Sequence, residues 1–282
     1  MTTFGSRLAD AIDNRGRLCV GIDPHPELLD AWGLTDSPFG LEKFALGAVE
    51  AVAGSVSVVK PQSAFFERHG SAGIAVLERV IAACHQLGAL VLLDVKRGDI
   101  GTTAQAYADA YLHPSSPLAV DAITVSPYLG MGSLDPVIDT ALVHDRGVFV
   151  LAMTSNPEAR QFQQATTPDG RTVAATVLDA VASRNAGQQP LGSVGVVVGA
   201  TVGGESGTKG DEPTHQLDVN GPVLVPGYGA QGGSIADIAS LFGPTTRAVL
   251  PSTSREVLRA GPDRQALHEA ARRAADEVDA LP

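Results

Sequence analysis

Cysteine and tryptophan are scarce in this chain, whose 282 residues include two cysteines and one tryptophan. Neither cysteine belongs to a CxxC pair, and no HExxH motif or clustered His/Cys spacing suggests a structural metal site. Cys19 lies in an apolar stretch and Cys84 in a helical pattern. A disulfide or a reactive pair is the alternative, but the sequence favours two small buried hydrophobic residues.

Long apolar runs and basic clusters are also missing. No apolar run approaches the length of a membrane-spanning helix, and the first residues, MTTFGSRLADAIDNRGR, lack the apolar core of a secretion signal. The 31 acidic residues outnumber the 20 basic ones, which gives a net charge of −11 without any Lys/Arg run. These absences argue against membrane insertion and general nucleic-acid binding, and they predict a soluble cytoplasmic protein.

Apolar residues are plentiful, at 44% of the chain against 18% charged residues, which is enough for a large core. Eight apolar stretches rich in β-branched residues recur, and helical patterns separate most of them. The predicted strands are 18–22, 56–59, 90–95, 122–125, 147–152, 194–198, 222–225 and 247–250. The alternation predicts an α/β protein whose residues 1–282 form a single-domain (β/α)8 barrel, with a doubly wound open sheet as the alternative.

Amphipathic spacing predicts helices at 42–53, 71–87, 103–111, 133–143, 172–185, 234–241 and 265–281. Segment 201–220 is polar and rich in glycine, and it lacks such a pattern. We predict that this segment is a mobile surface loop.

Charged residues follow the third predicted strand, in the stretch VLLDVKRGDIGTTA. Asp94 and Lys96 are two residues apart, so in a strand they point to the same side and favour each other's charged forms. Asp99 follows in a glycine-flanked loop that can fold back over the site or reach a neighbouring subunit. A solvated cluster of salt bridges is the alternative interpretation of these charges.

The ends of other predicted strands carry further polar residues. Asp23 ends the first strand in GIDPHP, Lys60 ends the second in VVKPQSAFFE, and Ser155 follows the fifth in TSNP. Each of them could instead form a turn or cap an element. In a barrel these ends meet at one mouth, where active sites lie, and Lys60 would join the third-strand charges in an alternating set.

Two segments near the end of the chain favour an anion site. We expect backbone N–H groups of the turn PGYGAQGG and of the helix after Ser254 to face an anion, as glycine-rich loops at helix N-termini do. Arg255 would add a charged fork and Gln231 a neutral donor. A flexible glycine turn with a capping serine is the alternative.

Taken together, DVKRGDIGTT, VVKPQSAFFE, TSNP, PGYGAQGG and STSR resemble the orotidine 5′-phosphate decarboxylase family, and most closely its longer bacterial form. The D-x-K-x-x-D pattern alone is shared with other phosphosugar enzymes of the superfamily, whereas the combination is more specific. The resemblance implies a cofactor-free decarboxylation of orotidine 5′-phosphate to UMP and CO2, the last step of pyrimidine biosynthesis, with no metal.

The resemblance also implies a role for each candidate residue. Asp94 would lie beside the substrate carboxylate, and Lys96 would protonate C6 of the pyrimidine. Lys60 and Asp23 would contact the ribose and complete the charge network. The remaining residues would be Asp99 and Thr103 from the partner subunit of a homodimer with shared active sites, Ser155 at the pyrimidine edge, and Gln231 and Arg255 at the 5′-phosphate, with segment 201–220 as a lid.

Two other functions stay open. A metal-assisted phosphosugar decarboxylase or aldolase of the same superfamily would carry a metal-binding carboxylate near Lys60, where a cation repels Mg²⁺. A non-catalytic sensor of phosphate ligands would not require two lysines interleaved with two aspartates. Shorter members of the resembling family usually have Gly-Arg where this chain has Ser254-Arg255, which makes the phosphate contacts less specific than the charge network.

Overall fold

Eight parallel strands close into a barrel in the computed structural model of the chain, which describes residues 2–202, 217–229, 232–243 and 248–281. The strand order follows the chain, and the first strand pairs with the last. The strands are β1 (Cys19–Ile22), β2 (Val58–Pro61), β3 (Leu90–Arg97), β4 (Ala122–Val125), β5 (Gly147–Met153), β6 (Val194–Val198), β7 (Val223–Pro226) and β8 (Val249–Thr253). The predicted (β/α)8 barrel is confirmed, and the open sheet is wrong.

The helices are α1 (Phe4–Arg15), α2 (Pro26–Ala31), α3 (Pro38–Val52), α4 (Ser63–Glu67), α5 (Gly70–Gln86), α6 (Gly101–Leu112), α7 (Asp135–Val143), α8 (Ala159–Gln163), α9 (Val173–Arg184), α10 (Ile235–Phe242), α11 (Arg255–Leu258) and α12 (Arg264–Asp279). Each of the seven predicted helices has a counterpart among them. No helix in the described ranges has the length and apolarity needed to cross a bilayer. Residues 203–216, most of the predicted lid, lie outside the described residues.

The first helix, α1, was not predicted, and it closes the bottom of the barrel. The side chain of Thr3 caps this helix by accepting a hydrogen bond from the backbone N–H of Ser6. Phe4 and Leu8 are buried, one helical turn apart, and the ring of Phe4 meets that of Phe149 edge to face at 6.2 Å. A side chain at Gly147 would collide with the Phe4 ring, so glycine is required there.

Above α1, inward-facing side chains from all eight strands fill the barrel. This layer consists of Cys19, Val58, Leu92, Ala122, Phe149, Val197, Leu224 and Leu250. The outward faces of the strands pack against the helices in a second apolar cluster. Both cysteines are free and buried, as predicted. Because this layer seals the interior, a ligand can enter only from the other end.

Three strands extend at least two residues further toward that end than the sequence predicts. The second continues through Pro61, the third through Arg97 and the last through Thr253. Charge and proline led the prediction to end these strands early. Inward positions at the mouth face a cavity instead of the core, so polar side chains are compatible with strand geometry there.

A buried carboxylate joins α1 to the bottom of the barrel. Asp121, which precedes β4, accepts hydrogen bonds from Arg7 of α1 at 2.6 Å, Arg146 at 3.0 Å, His85 at 2.9 Å and the amide of Val91 at 2.9 Å. Burial alone would raise the pKa of Asp121, but the hydrogen bonds from His85, Val91 and Arg7 outweigh it and hold that pKa well below its usual range. Asp121 therefore stabilises the folded state at neutral pH.

We predict that Asp121→Asn lowers the free energy of unfolding at pH 7 by about 3 kcal/mol, because it leaves two arginines facing an uncharged amide in a buried site. Urea unfolding followed by circular dichroism measures the change. Asp139→Asn makes the same replacement on the exposed face of α7 and serves as the control. Equal stabilities of the two variants would contradict the prediction.

Candidate active site

A cavity of about 480 Å³ opens at the carboxyl ends of the strands. Residues from both the charged stretches and the phosphate-like motifs of the sequence line it. They include Asp23, Lys60, Asp94, Lys96, Thr124, Ser155, Tyr228, Thr253, Ser254 and Arg255, with Leu151, Val197 and Leu224 as the apolar floor. Six of the nine predicted site residues therefore share one cavity.

Four of these residues form a row of alternating charges. Lys60 Nζ lies 4.0 Å from Asp23 Oδ1 and 3.3 Å from Asp94 Oδ2, and Lys96 Nζ lies 2.6 Å from Asp94 Oδ1. Exposure is lowest in the middle of the row, at 7% and 10% for the side chains of Lys60 and Asp94, against 20% for Asp23 and 45% for Lys96 at the two ends. The buried part of the row is thus rigidly paired, while the Lys96 ammonium faces the open cavity.

The barrel's register brings Asp23 and Lys60 together. Gly21 of β1 pairs in register with Lys60 of β2. A side chain on Gly21 would lie 2.9 Å from the side chain of Ser254 and 3.4 Å from a carboxylate oxygen of Asp23. The missing side chain therefore leaves room for both residues beside Lys60.

Mutual attraction keeps the buried charges ionised. Burial alone would lower the pKa of Lys60, but the charges of Asp23 and Asp94 outweigh it and raise that pKa. Burial alone would raise the pKa of Asp94, but Lys60 and Lys96 outweigh it and lower that pKa to about 2. At neutral pH the site therefore holds fixed charges before any ligand arrives.

The other side of the cavity carries unpaired donors. Arg255 is half-buried, and the hydroxyls of Thr253 and Ser254 are buried without a hydrogen-bond partner among the described residues. Ser254 does not cap the following helix with its side chain, so the capping alternative is wrong. Buried hydroxyls that lack partners are costly, and their presence beside an arginine is typical of a site that binds a polar ligand.

The glycine turn after β7 departs in part from the expectation. Gly227 and Gly229 have positive φ angles, which L side chains rarely adopt. The amides of Gly229, Gly232 and Gly233 donate hydrogen bonds within the turn, so these three do not face an anion as predicted. Gln231 lies outside the described residues.

Two predicted residues lie away from the cavity of their own chain. The Asp99 carboxylate accepts a hydrogen bond from the amide of Ile100 at 2.8 Å, and neither Asp99 nor Thr103 lines the cavity. Ile100 is 62% exposed. Their assignment to a partner subunit stays a prediction.

Sequence reasoning missed several residues of the cavity wall. His25, Thr124, Thr154, Tyr228, Thr253 and Ser254 all line it. The ring of His25 packs against the ring of Phe65, with the two centroids 4.3 Å apart. The signal available for Thr124 and Thr253 was a hydroxyl within or at the end of an otherwise apolar strand stretch. No cluster of three or more His, Cys, Asp or Glu residues that could hold a metal occurs in the described part of the chain.

Comparisons with known proteins point to one family along nearly the whole chain. A family model described as "Orotidine 5'-phosphate decarboxylase / HUMPS family" matches residues 16–270. An orotidine 5′-phosphate decarboxylase of Salinispora arenicola is 60% identical over 97% of this chain and 96% of its own, and one from a Nocardioides species is 62% identical over 92% and 93%. A crystal structure from Streptomyces avermitilis, provisionally assigned to the same enzyme, is 54% identical with a TM-score of 0.94 over 100% of this chain and 96% of that one.

We predict that Lys60→Met destabilises the protein more at pH 7 than at pH 3. The lowered pKa of Asp94 stabilises the folded state fully at pH values above the pKa of an aspartate in the unfolded chain, about 3.9. This stabilisation is lost as the pH falls toward the folded-state pKa of about 2. Lys60→Met lacks much of that stabilisation, so its free energy of unfolding differs less from that of the wild type at pH 3 than at pH 7. Urea unfolding at both pH values measures it, with the exposed Lys43→Met as control. A difference independent of pH would contradict the prediction.

Proposed function

This chain belongs to the orotidine 5′-phosphate decarboxylase / HUMPS family, and we propose that it decarboxylates orotidine 5′-phosphate to UMP and CO2. It is a lyase, as its 60% identity to a curated decarboxylase implies. The observation that carries the proposed mechanism is the row of alternating charges at the cavity, with the Lys96 ammonium 2.6 Å from Asp94 at its exposed end.

The chemistry requires a fixed positive charge at the reacting carbon. Loss of CO2 from C6 of the pyrimidine leaves an electron pair without a good resonance sink, so the protein has to stabilise it directly. We propose that the Lys96 ammonium does so and then gives its proton to C6. Charges that are held in place before the reaction act strongly, because they need no reorganisation as the negative charge develops.

Asp94 acts on the ground state in this proposal. Its carboxylate would lie beside that of the substrate and repel it until CO2 leaves. Lys60 and Lys96 hold Asp94 in its charged form, as its lowered pKa indicates. The apolar floor of Leu151 and Val197 gives the departing, uncharged CO2 a neighbourhood without competing charges.

The remaining contacts bind the nucleotide. We propose that Asp23 and Lys60 contact the ribose, Ser155 reads the pyrimidine edge, and Arg255 with Gln231 holds the 5′-phosphate. The cavity of about 480 Å³ suits a nucleotide-sized ligand. The unpartnered Ser254 hydroxyl and the half-buried Arg255 support the phosphate end. Phosphate binding far from C6 can supply binding energy to the reaction.

A homodimer with shared active sites completes the proposal. Asp99 and Thr103 would reach the cavity of the partner subunit, because neither lines that of its own chain. Large apolar side chains near the mouth support a contact there: Ile100 is 62% exposed and Tyr128 70%. Aromatic side chains such as that of Tyr128 are enriched at protein interfaces.

The reaction as proposed uses no cofactor, and the chain would belong to the longer bacterial form because VVKPQSAFFE surrounds Lys60. The competing function is the metal-assisted reaction of a phosphosugar decarboxylase or aldolase of the same superfamily. The buried Lys60, 3.3 Å from Asp94, counts against it because an ammonium there repels a divalent cation from the same carboxylates.

We predict that Lys96→Ala lowers kcat at least about a thousand-fold, because the developing charge loses its partner, while the affinity for UMP changes less than about tenfold. An ultraviolet assay of orotidine 5′-phosphate loss in EDTA measures activity, and calorimetry measures UMP binding. Wild type and Lys43→Ala should keep full activity in EDTA. Loss of wild-type activity in the chelator would favour the metal-assisted reaction, and ligand binding without turnover by wild type would favour a sensor.

Hybrid dimers test the shared site. If each site combines Lys96 of one chain with Asp99 of the other, a hybrid of Lys96→Ala and Asp99→Ala chains has one intact site and about half the wild-type activity per dimer. A hybrid of wild type with the Lys96→Ala/Asp99→Ala double variant has none. Co-expression with two different tags yields both hybrids. Activity in the second hybrid but not in the first would show that Asp99 serves its own chain.

A further inference from the structure

The hydroxyl of Thr124 contacts both partners of the Asp94–Lys96 ion pair. Thr124 lies on β4, next to the strand that carries both charged residues, and it is fully buried. Its Oγ1 donates a hydrogen bond to Asp94 Oδ1 at 2.7 Å and accepts one from the backbone N–H of Lys96 at 2.9 Å. One small side chain thus touches the carboxylate and the backbone of the ammonium-bearing residue.

A local irregularity in β3 explains why such a contact is needed. The pairing between β3 and β4 shifts register between Leu93 and Arg97. Within this shift Lys96 has a φ of 44°, in the left-handed region that a residue with a side chain rarely occupies. An irregularity of this kind redirects a side chain and removes a backbone amide from the regular ladder. The Thr124 hydroxyl gives the Lys96 amide its acceptor.

The two hydrogen bonds also fix the direction of the hydroxyl. Because Oγ1 accepts the proton of the Lys96 amide, its own proton is directed at Asp94 Oδ1. Asp94 Oδ1 also accepts a hydrogen bond from Lys96 Nζ at 2.6 Å, and Asp94 Oδ2 accepts one from Lys60 Nζ at 3.3 Å. Asp94 is therefore held from three sides, and the carboxylate cannot rotate without breaking one of these contacts.

We propose that Thr124 is a positioning residue, whose hydroxyl holds the Lys96 backbone in its strained conformation and the Asp94 carboxylate in the orientation that aims the Lys96 ammonium at the reacting carbon. The inference rests on the proposed decarboxylase function and adds to it a residue on a strand that carries none of its catalytic groups. A misplacement of about 1 Å in a catalytic group can cost about a hundredfold in rate, so a hydroxyl that prevents it affects turnover more than binding.

The experiment compares Thr124→Val, which keeps the branched shape without the hydroxyl, with Thr124→Ser, which keeps the hydroxyl. We expect Thr124→Val to lower kcat about 10- to 100-fold with KM changed less than about threefold, and Thr124→Ser to restore most of kcat. Thr176→Val removes a hydrogen-bonded hydroxyl from α9 at a residue that does not line the cavity, and it should leave both constants unchanged. Thermal unfolding of every variant identifies any loss of folded protein.

A Thr124→Val enzyme with wild-type kcat, a loss confined to KM, or a serine variant no better than valine would each overturn the proposal. If Thr124→Val fails to fold, Thr124→Ala against Thr124→Ser repeats the comparison without the added methyl group, with the same expected split. The wild-type assay separates this inference from the proposed function. A wild type that forms no UMP contradicts the function, whereas an active wild type matched by the valine variant contradicts only the role of Thr124.

Discussion

The pairing of Asp94 with two lysines is the constraint on which the mouth of the barrel depends. A buried carboxylate is costly by itself, and so is the buried ammonium of Lys60. Each offsets the other's loss of water, and Asp23 and Lys96 extend the row at its two ends. Because each of these charges is costly to bury without its partner, the ion pairs form as the protein folds. A reaction that develops negative charge can then use them without reorganisation.

The two ends of the closed barrel have different roles: the residues at the bottom stabilise the fold, and those at the mouth form the candidate active site. At the bottom, Phe4 and Leu8 of α1 seal the interior, and Asp121 joins that helix to the strands. At the top, inward positions face a cavity, so charged and hydroxyl side chains replace apolar ones on the same strands. Tight packing at one end thus provides a rigid frame for costly polar groups at the other. Thr124, a hydroxyl among the apolar residues of β4, belongs to the functional end.

Much of this arrangement could be predicted from local patterns. Apolar stretches identified all eight strands, and the two-residue spacing of Asp94 and Lys96 predicted correctly that they meet. The pattern did not predict the N-terminal helix, although Thr3, Phe4 and Leu8 carried a cap and a one-turn apolar repeat. It also ended three strands too early, at a charge or a proline, because a sequence window cannot distinguish a position facing a cavity from one facing solvent.

The order of apolar and polar stretches along the chain was enough to predict eight β/α units and the strand ends that carry charge, because these depend on residue periodicity. Closure into a barrel instead of an open sheet was decided by the pairing of β1 with β8. Only the tertiary structure decided which charges pair between different strands. The 3.3 Å contact of Lys60 with Asp94 and the hydrogen bonds of Thr124 join residues 28 or more positions apart. Such contacts depend on strand register, and register results from the packing of the whole barrel.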